Sequence, residues 1–513
     1  MFSKENLSHC LIILISSIAA IVTHGYQFAV SDQEIFIPYI LKWQDPSLFQ
    51  KDLLFNQPSA NASLFYPVFG FLARFADLQP IFFVSYLLFQ FFFFLAIYRL
   101  AFVILKDRKL AYLALIPFFL SKFIGGTATF TFDIFFGYRS IGIVFMIFHL
   151  SYLLEKKFKK AAVFALLSAV FHPLSIIPII LLFPLIFIKE RLKIRKRTIL
   201  LILSILLMTI LLFSQFLPKD TTWLSIIKFR DDYLFSSTWS IRAWLAIALY
   251  CSLLLVLLKA IKSDIKNAIL LIVIISLSLF VTNYFILEVL KSPSIAQFQL
   301  VRAISPIAYI SLVMSPLLLT YQRPILKILG ISSFILLSLN LFNIYLVVFL
   351  IFGLAFFFGN NRFFINPSPR FIFMLAIFIF IIFMIRNFQS IQMNVQFPKT
   401  KDDWIDLQLW ARNNTPKDAI FLVPPNQTGF RIFSQRSIVT DTKDGAVVIY
   451  SPFYANYWRQ LMDDLENYHT FKEEEFAILQ KKYKNEYVVT LKEHNLNFLP
   501  FYKNDSFNVF KID

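Results

Sequence analysis

Two carboxylates, Asp32 and Glu34, stand at the start of a polar stretch over residues 25–55, directly after the first long apolar segment. A charged group at a membrane edge is costly unless it is paired or has a task. Ser31-Asp32-Gln33-Glu34 reads as a helix capping box, Ser31 as N-cap and Glu34 at N3. Phe36, Tyr39, Ile40 and Trp43 would then share one apolar face, as in a helix lying in a membrane interface, with Pro38 straining it. The cap gives Glu34 a structural task; Asp32, which such a helix needs less, is the better candidate for proton transfer. Cations near the same surface are Arg139 after Asp133, His172 in a His-Pro break, Arg230 in KFRDDYLF, and Arg302 at the start of a later apolar run. Snorkelling to headgroups is the competing reading for Arg139 and Arg302. For Asp231 and Asp232 it is a solvated loop pair, ahead of metal ligation. In the tail, Arg431, Arg436, Asp441 and Lys443 read either as surface charges or as groups closing a cavity.

The elements that position these groups are membrane spans. The 513 residues are 58% hydrophobic, with 64 Phe and a mean hydropathy of +0.67. Apolar runs of bilayer-crossing length recur along residues 1–388. The expected fold is a polytopic α-helical membrane protein of about 13 transmembrane helices. The expected spans are 7–24, 80–103, 110–126, 140–154, 161–171, 174–188, 198–217, 242–258, 268–288, 301–320, 326–341, 343–358 and 371–387. The net charge of +18 collects in short loops such as 106–109, 156–160 and 189–197. That is the positive-inside pattern, and it replaces nucleic-acid binding as the reason for the charge. It puts the N-terminus in the cytoplasm and the 25–79 loop outside. Cys10 and Cys251 lie in apolar segments and form no disulfide or zinc spacing.

Residues 389–513 change character. Helical periodicity over 402–413, 453–467 and 472–482 alternates with strand-like runs at 419–423, 437–440, 487–490 and 507–512. The expectation is a small extracytoplasmic α/β domain with a partly parallel sheet and no glycine-rich phosphate loop.

An acidic first outer loop, a many-span body and an outward α/β tail resemble the C-class glycosyltransferase superfamily, which uses polyprenyl-phosphate-linked sugars. YQFAVSDQEIFIPYILKWQDPSLFQKD, WARNNTPKDAIFLVPP and FRIFSQRSIV resemble, more narrowly, an uncharacterised bacterial membrane-protein family related to it. The resemblance implies a protein of the bacterial inner membrane, embedded in the lipid bilayer, that moves a sugar from a polyprenyl-phosphate-linked donor to a glycan, lipid or protein acceptor with inversion. It implies Asp32 as general base, with Glu34 or a divalent ion (Mg or Mn) as its companion. Arg139, His172, Arg302 and Arg230 would be the lipid-phosphate partners. A lipid or sugar transporter and a non-catalytic assembly protein are the alternatives. Convergence of Asp32, Arg139, His172 and Arg302 on one cavity separates the enzyme from both.

Overall fold

The structure is a computed structural model. It describes residues 4–56, 63–180, 183–187, 218–261, 263–341, 349–351, 353, 374, 395–396 and 402–512 without 495 and 498. The spans expected at 198–217, 343–358 and 371–387, and the boundary at 388, fall outside these residues apart from isolated positions.

Five described helices are long and apolar enough to cross a membrane: Asn6–His24, Leu78–Leu105, Ile241–Ala260, Asp264–Val289 and Leu300–Thr320. Tyr138–Leu154 and Pro324–Ser338 are shorter apolar helices. The Leu78–Leu105 helix packs on both Lys4–His24 and Tyr138–Leu154, and the last of these packs on Phe158–Phe171. Leu100, Ile147, Leu253 and Ile310 are fully buried in this body. The chain breaks at His172 between the Phe158–Phe171 and Pro173–Ile180 helices. Pro173 lacks the N–H that would continue the first helix and instead starts the second.

The span expected at 110–126 is not a continuous helix. Arg108–Leu113 is a short helix, Ile116–Phe118 a single 3-10 turn, and Phe123–Ile124 pairs with Thr129–Phe130 as a hairpin. Tyr112 meets His9 near the start of the first helix, and Phe119 meets Thr23 near its end. Ala114, Leu115 and Phe119 keep right-handed helical backbones, so the segment stays in helical turns, α and then 3-10, as far as Phe119 and leaves them for the hairpin. Hydropathy alone does not register the break, although Pro117 and Gly125-Gly126 signal it.

The capping box is also replaced. Ser31 adopts a left-handed backbone (φ 57°), and Asp32 becomes the N-cap of Gln33–Gln44 without a side-chain capping bond. Phe36, Tyr39 and Ile40 are buried in protein, against the Phe65–Leu72 helix and the tail, so this helix is an internal element and not an interfacial one.

In the tail, residues 402–512 build a five-stranded sheet in the order Ser437–Ile438, Ile420–Leu422, Tyr487–Leu491, Phe507–Lys511, Tyr502–Lys503. The first three strands are parallel and the last two pairings antiparallel. Tyr487–Leu491 is the middle strand, and Val488 and Val489 face opposite sides yet are both fully buried, as an apolar run in a covered sheet requires. The helices Asp403–Asn414, Pro452–Asp464 and Glu473–Tyr483 accompany it. The tail is tied to the 25–79 segment by strand pairing and by charge. Tyr26–Gln27 pairs in parallel with Val395–Gln396. The second tie is ionic and buried: Arg431 holds Asp52 (Nε–Oδ2 2.7 Å) and Asp444 (Nη1–Oδ1 2.7 Å), with Asp441 3.9 Å away. All four side chains are at most 3% exposed.

Candidate functional site

A cavity of about 480 Å³ lies where the helical body, the 25–79 segment and the tail meet. Asp32 enters it from the N-terminus of the Gln33–Gln44 helix, Arg139 from the first turn of Tyr138–Leu154, and His172 from the helix break. Arg230 ends the Thr221–Arg230 helix, and Arg302 lies on the 3-10 turn Leu300–Ile304. The tail closes it with Lys443, Ala446, Val447, Ile449 and Tyr450 from the 3-10 segment Thr442–Tyr450. Five of the six residues singled out from sequence thus line one space.

The sixth, Glu34, does not. Its carboxylate is turned under the tail, beside Thr428 and with Gly429 over it, and its buried Oε2 has no hydrogen-bond partner among the described residues. Gly429 has φ +82°, and a Cβ there would come within 3.3 Å of Glu34 Cγ. Burial raises the Glu34 pKa, and Thr428 and Lys443 oppose that rise. Two residues on from Asp32, about 200° round the helix, Glu34 faces a different neighbour, which is why adjacency in sequence did not become adjacency in the cavity.

The cations differ in how far they are already satisfied. Arg139 is held by Asp133 through two bonds, Nε–Oδ2 at 2.8 Å and Nη2–Oδ1 at 2.5 Å. Arg302 donates only to the Thr127 carbonyl at 3.4 Å and stands over the Tyr233 ring at 5.5 Å; among the described residues it has no carboxylate partner. Arg230 donates to the Thr442 carbonyl at 3.2 Å and is 3.7 Å from Asp231. Lys443 Nζ is 3.6 Å from Asp32 Oδ1, and both side chains are partly exposed. His172 Nδ1 pairs with Ser175 Oγ at 2.6 Å, and its ring lies 4.9 Å from that of Tyr138. It fits closely against Gly142, where a Cβ would be 2.5 Å from His172 Cβ. An Arg with unused donors and an accessible Lys are the groups that can donate to a phosphate oxygen.

Two residues weighed lightly from sequence belong here. Asp231 is buried, not solvated: it lies on the cavity wall, and its Oδ2 has no hydrogen-bond partner among the described residues. Burial pushes its pKa up to about 6, against the pull of Arg230 and Arg302. Lys443 faces the cavity, whereas Arg431 and Asp441 are in the buried ionic cluster and Arg436 caps the Asp403–Asn414 helix through the Arg412 and Thr415 carbonyls, each at 2.7 Å. An Asp-Asp pair in a polar loop carries no sequence sign of burial; the sign is Tyr233-Leu234-Phe235 beside it.

A divalent ion was tested against the donors present. Among the described residues no group of three His, Cys, Asp or Glu side chains could hold one. Of the cavity carboxylates, Asp133 stands on Arg139, Asp32 on Lys443 and Asp231 on Arg230, and Asp232 is exposed. Among the described residues the carboxylates form no ready-made three-ligand cage for Mg or Mn.

A model of a domain of unknown function (DUF6798) matches residues 402–465, within the tail. Curated protein sequences give no match. Among solved structures, the chain is similar to the archaeal oligosaccharyltransferase AglB from Archaeoglobus fulgidus, solved with an inhibitory peptide and a dolichol-phosphate. The TM-score is 0.46 and the identity 11%, over 95% of this chain and 70% of that one. A likeness this distant carries no argument about chemistry, which rests on the cavity itself.

Proposed function

We propose that this protein is a membrane glycosyltransferase that moves a sugar from a polyprenyl-phosphate-linked donor to a hydroxyl of an extracytoplasmic acceptor. The observation that supports the reading most is that one partly accessible carboxylate, Asp32, shares a single cavity with Arg139, His172, Arg230, Arg302 and Lys443. An acid facing cations suits a reaction that removes a proton at one end and releases a phosphate at the other.

In this reading Asp32 takes the proton from the acceptor hydroxyl. The oxygen so freed attacks the anomeric carbon from the face opposite the phosphate, and a new C–O bond forms with inversion. The bond between that carbon and the phosphate oxygen breaks, and its electron pair leaves with the polyprenyl phosphate. Arg302 and Arg230, which retain free donors, receive the developing charge. Arg139, already neutralised by Asp133, and His172 shape the wall they stand on. Glu34 acts from outside the cavity as a positioning residue, fixing the Thr428-Gly429 turn against the Gln33–Gln44 helix. The cavity opens on the outer side of the bacterial inner membrane, where the lipid phosphate lies at the headgroup level.

The test is release of lipid phosphate from polyprenyl-phosphate-linked hexoses and pentoses by the protein in vesicles, with cell-envelope material as acceptor. Acceptor-dependent release supports the reading. Binding of every donor without release, or no binding, removes it.

A further inference from the structure

Asp231 has an unusual position for a loop carboxylate. It follows the last residue of the Thr221–Arg230 helix, and its backbone is held at both ends: its N–H donates to the Ile227 carbonyl at 2.7 Å, and its carbonyl accepts from Leu234 N–H at 3.0 Å. Those bonds fix where the side chain points. Oδ1 is 3.7 Å from Arg230 Nη1, an ion pair with no close hydrogen bond. Oδ2 is buried and has no hydrogen-bond partner among the described residues, although the residue lines the cavity. A buried acceptor left without a donor is destabilising, and it persists where a ligand supplies the missing donor.

The surroundings narrow what that donor is. Arg230 stands 3.7 Å from the other oxygen of the same carboxylate, so a metal ion or an ammonium group there would meet opposing charge. A phosphate would meet Asp231 itself. A neutral hydroxyl meets neither objection. Tyr233 and Tyr450 stand on the same wall and offer aromatic surface to a sugar ring. Tyr233 is in turn held by Gln299, its OH donating to Oε1 at 3.1 Å.

We infer that Asp231 Oδ2 accepts a hydroxyl hydrogen bond from the donor sugar and is the residue by which the cavity tells a glycosylated lipid phosphate from the bare one. The inference rests on the glycosyltransferase reading. Asp231 touches the sugar, takes no proton from the acceptor and leaves the base role to Asp32.

The test compares binding of undecaprenyl phosphate with binding of undecaprenyl phosphate carrying glucose, mannose or a pentose, to the full-length protein in detergent. The wild type should bind one of the glycosylated lipids about tenfold or more tighter than the bare lipid phosphate. Asp231→Asn and Asp231→Ala should bring that preference to within about twofold while leaving bare lipid phosphate binding nearly unchanged, which also reports that the variants are folded. Asp463→Asn, at an exposed carboxylate outside the cavity, should keep the preference. A preference that survives both Asp231 variants, equal weakening of all the lipids, or no preference in the wild type overturns the inference alone. Absence of binding by any of these lipids to the wild type overturns the glycosyltransferase reading, and the inference with it.

Discussion

Lys443 of the tail stands 3.6 Å from Asp32, which lies more than 400 positions earlier in the chain, and this contact makes the tail part of the cavity. The pair is partly exposed, so it contributes less than about 1 kcal/mol to stability. Its weight is in placing the carboxylate. Lys443→Ala should leave the melting temperature nearly unchanged and lower sugar transfer about tenfold or more, because a base out of place loses proximity as well as charge. Parallel melting and turnover measurements check this.

The two arginines of the wall should respond differently to removal. Arg139→Ala leaves Asp133 buried without its partner, a loss of about 3–5 kcal/mol that thermal unfolding in detergent would register. Arg302→Ala removes no ion pair among the described residues. It should unfold close to the wild-type temperature while binding lipid phosphate about tenfold or more weakly.

Arg431 is the deeper tie between tail and body. Arg431→Ala strands Asp52, Asp441 and Asp444 in a buried site, and the expected cost is again about 3–5 kcal/mol. Arg459→Ala, which removes an exposed pair with Asp463, should cost under about 1 kcal/mol. Denaturant unfolding of the two variants side by side separates the cases.

Asp231 sets a pH dependence with a definite sign. Its pKa rises from the ordinary carboxylate value to about 6 on folding, so the folded protein holds the proton between about pH 4 and pH 6 where the unfolded chain releases it. That stabilisation is complete below the unfolded value and is lost as the pH rises through 6; its size is roughly 3 kcal/mol. Asp231→Asn, which never ionises, should match the wild type near pH 4 and be more stable than it at pH 7.5. Melting curves at both pH values check the crossover. A stabilising substitution that abolishes sugar preference is what a functional, unsatisfied carboxylate predicts.

The tail was legible because its signals are local. The buried Val488-Val489 strand and the helices flanking it announce themselves by periodicity, whereas the short Phe430–Ser434 helix, the 3-10 segment Thr442–Tyr450 and the edge strand Tyr502–Lys503 carry too little pattern to be read. Asp32 and the cations were legible because a charge beside an apolar run stands out. What the sequence concealed depends on backbone geometry and distant partners. Ser31 looks like a cap until its left-handed φ turns it away. Residues 110–126 are apolar enough for a span, yet pass from α-helix through a 3-10 turn into a hairpin. Asp231 and Lys443 matter only through neighbours brought from other segments, Arg230 and Tyr233 for one and Asp32 for the other.

The central claim is that Asp32 removes the acceptor proton. Its most direct measurement is the rate of sugar transfer by Asp32→Asn against wild type in the same vesicles, with donor binding measured alongside. The account predicts donor binding within a few-fold of wild type and a rate lower by about 10²–10⁴-fold, the range general base catalysis supplies. Transfer by Asp32→Asn at the wild-type rate would contradict it.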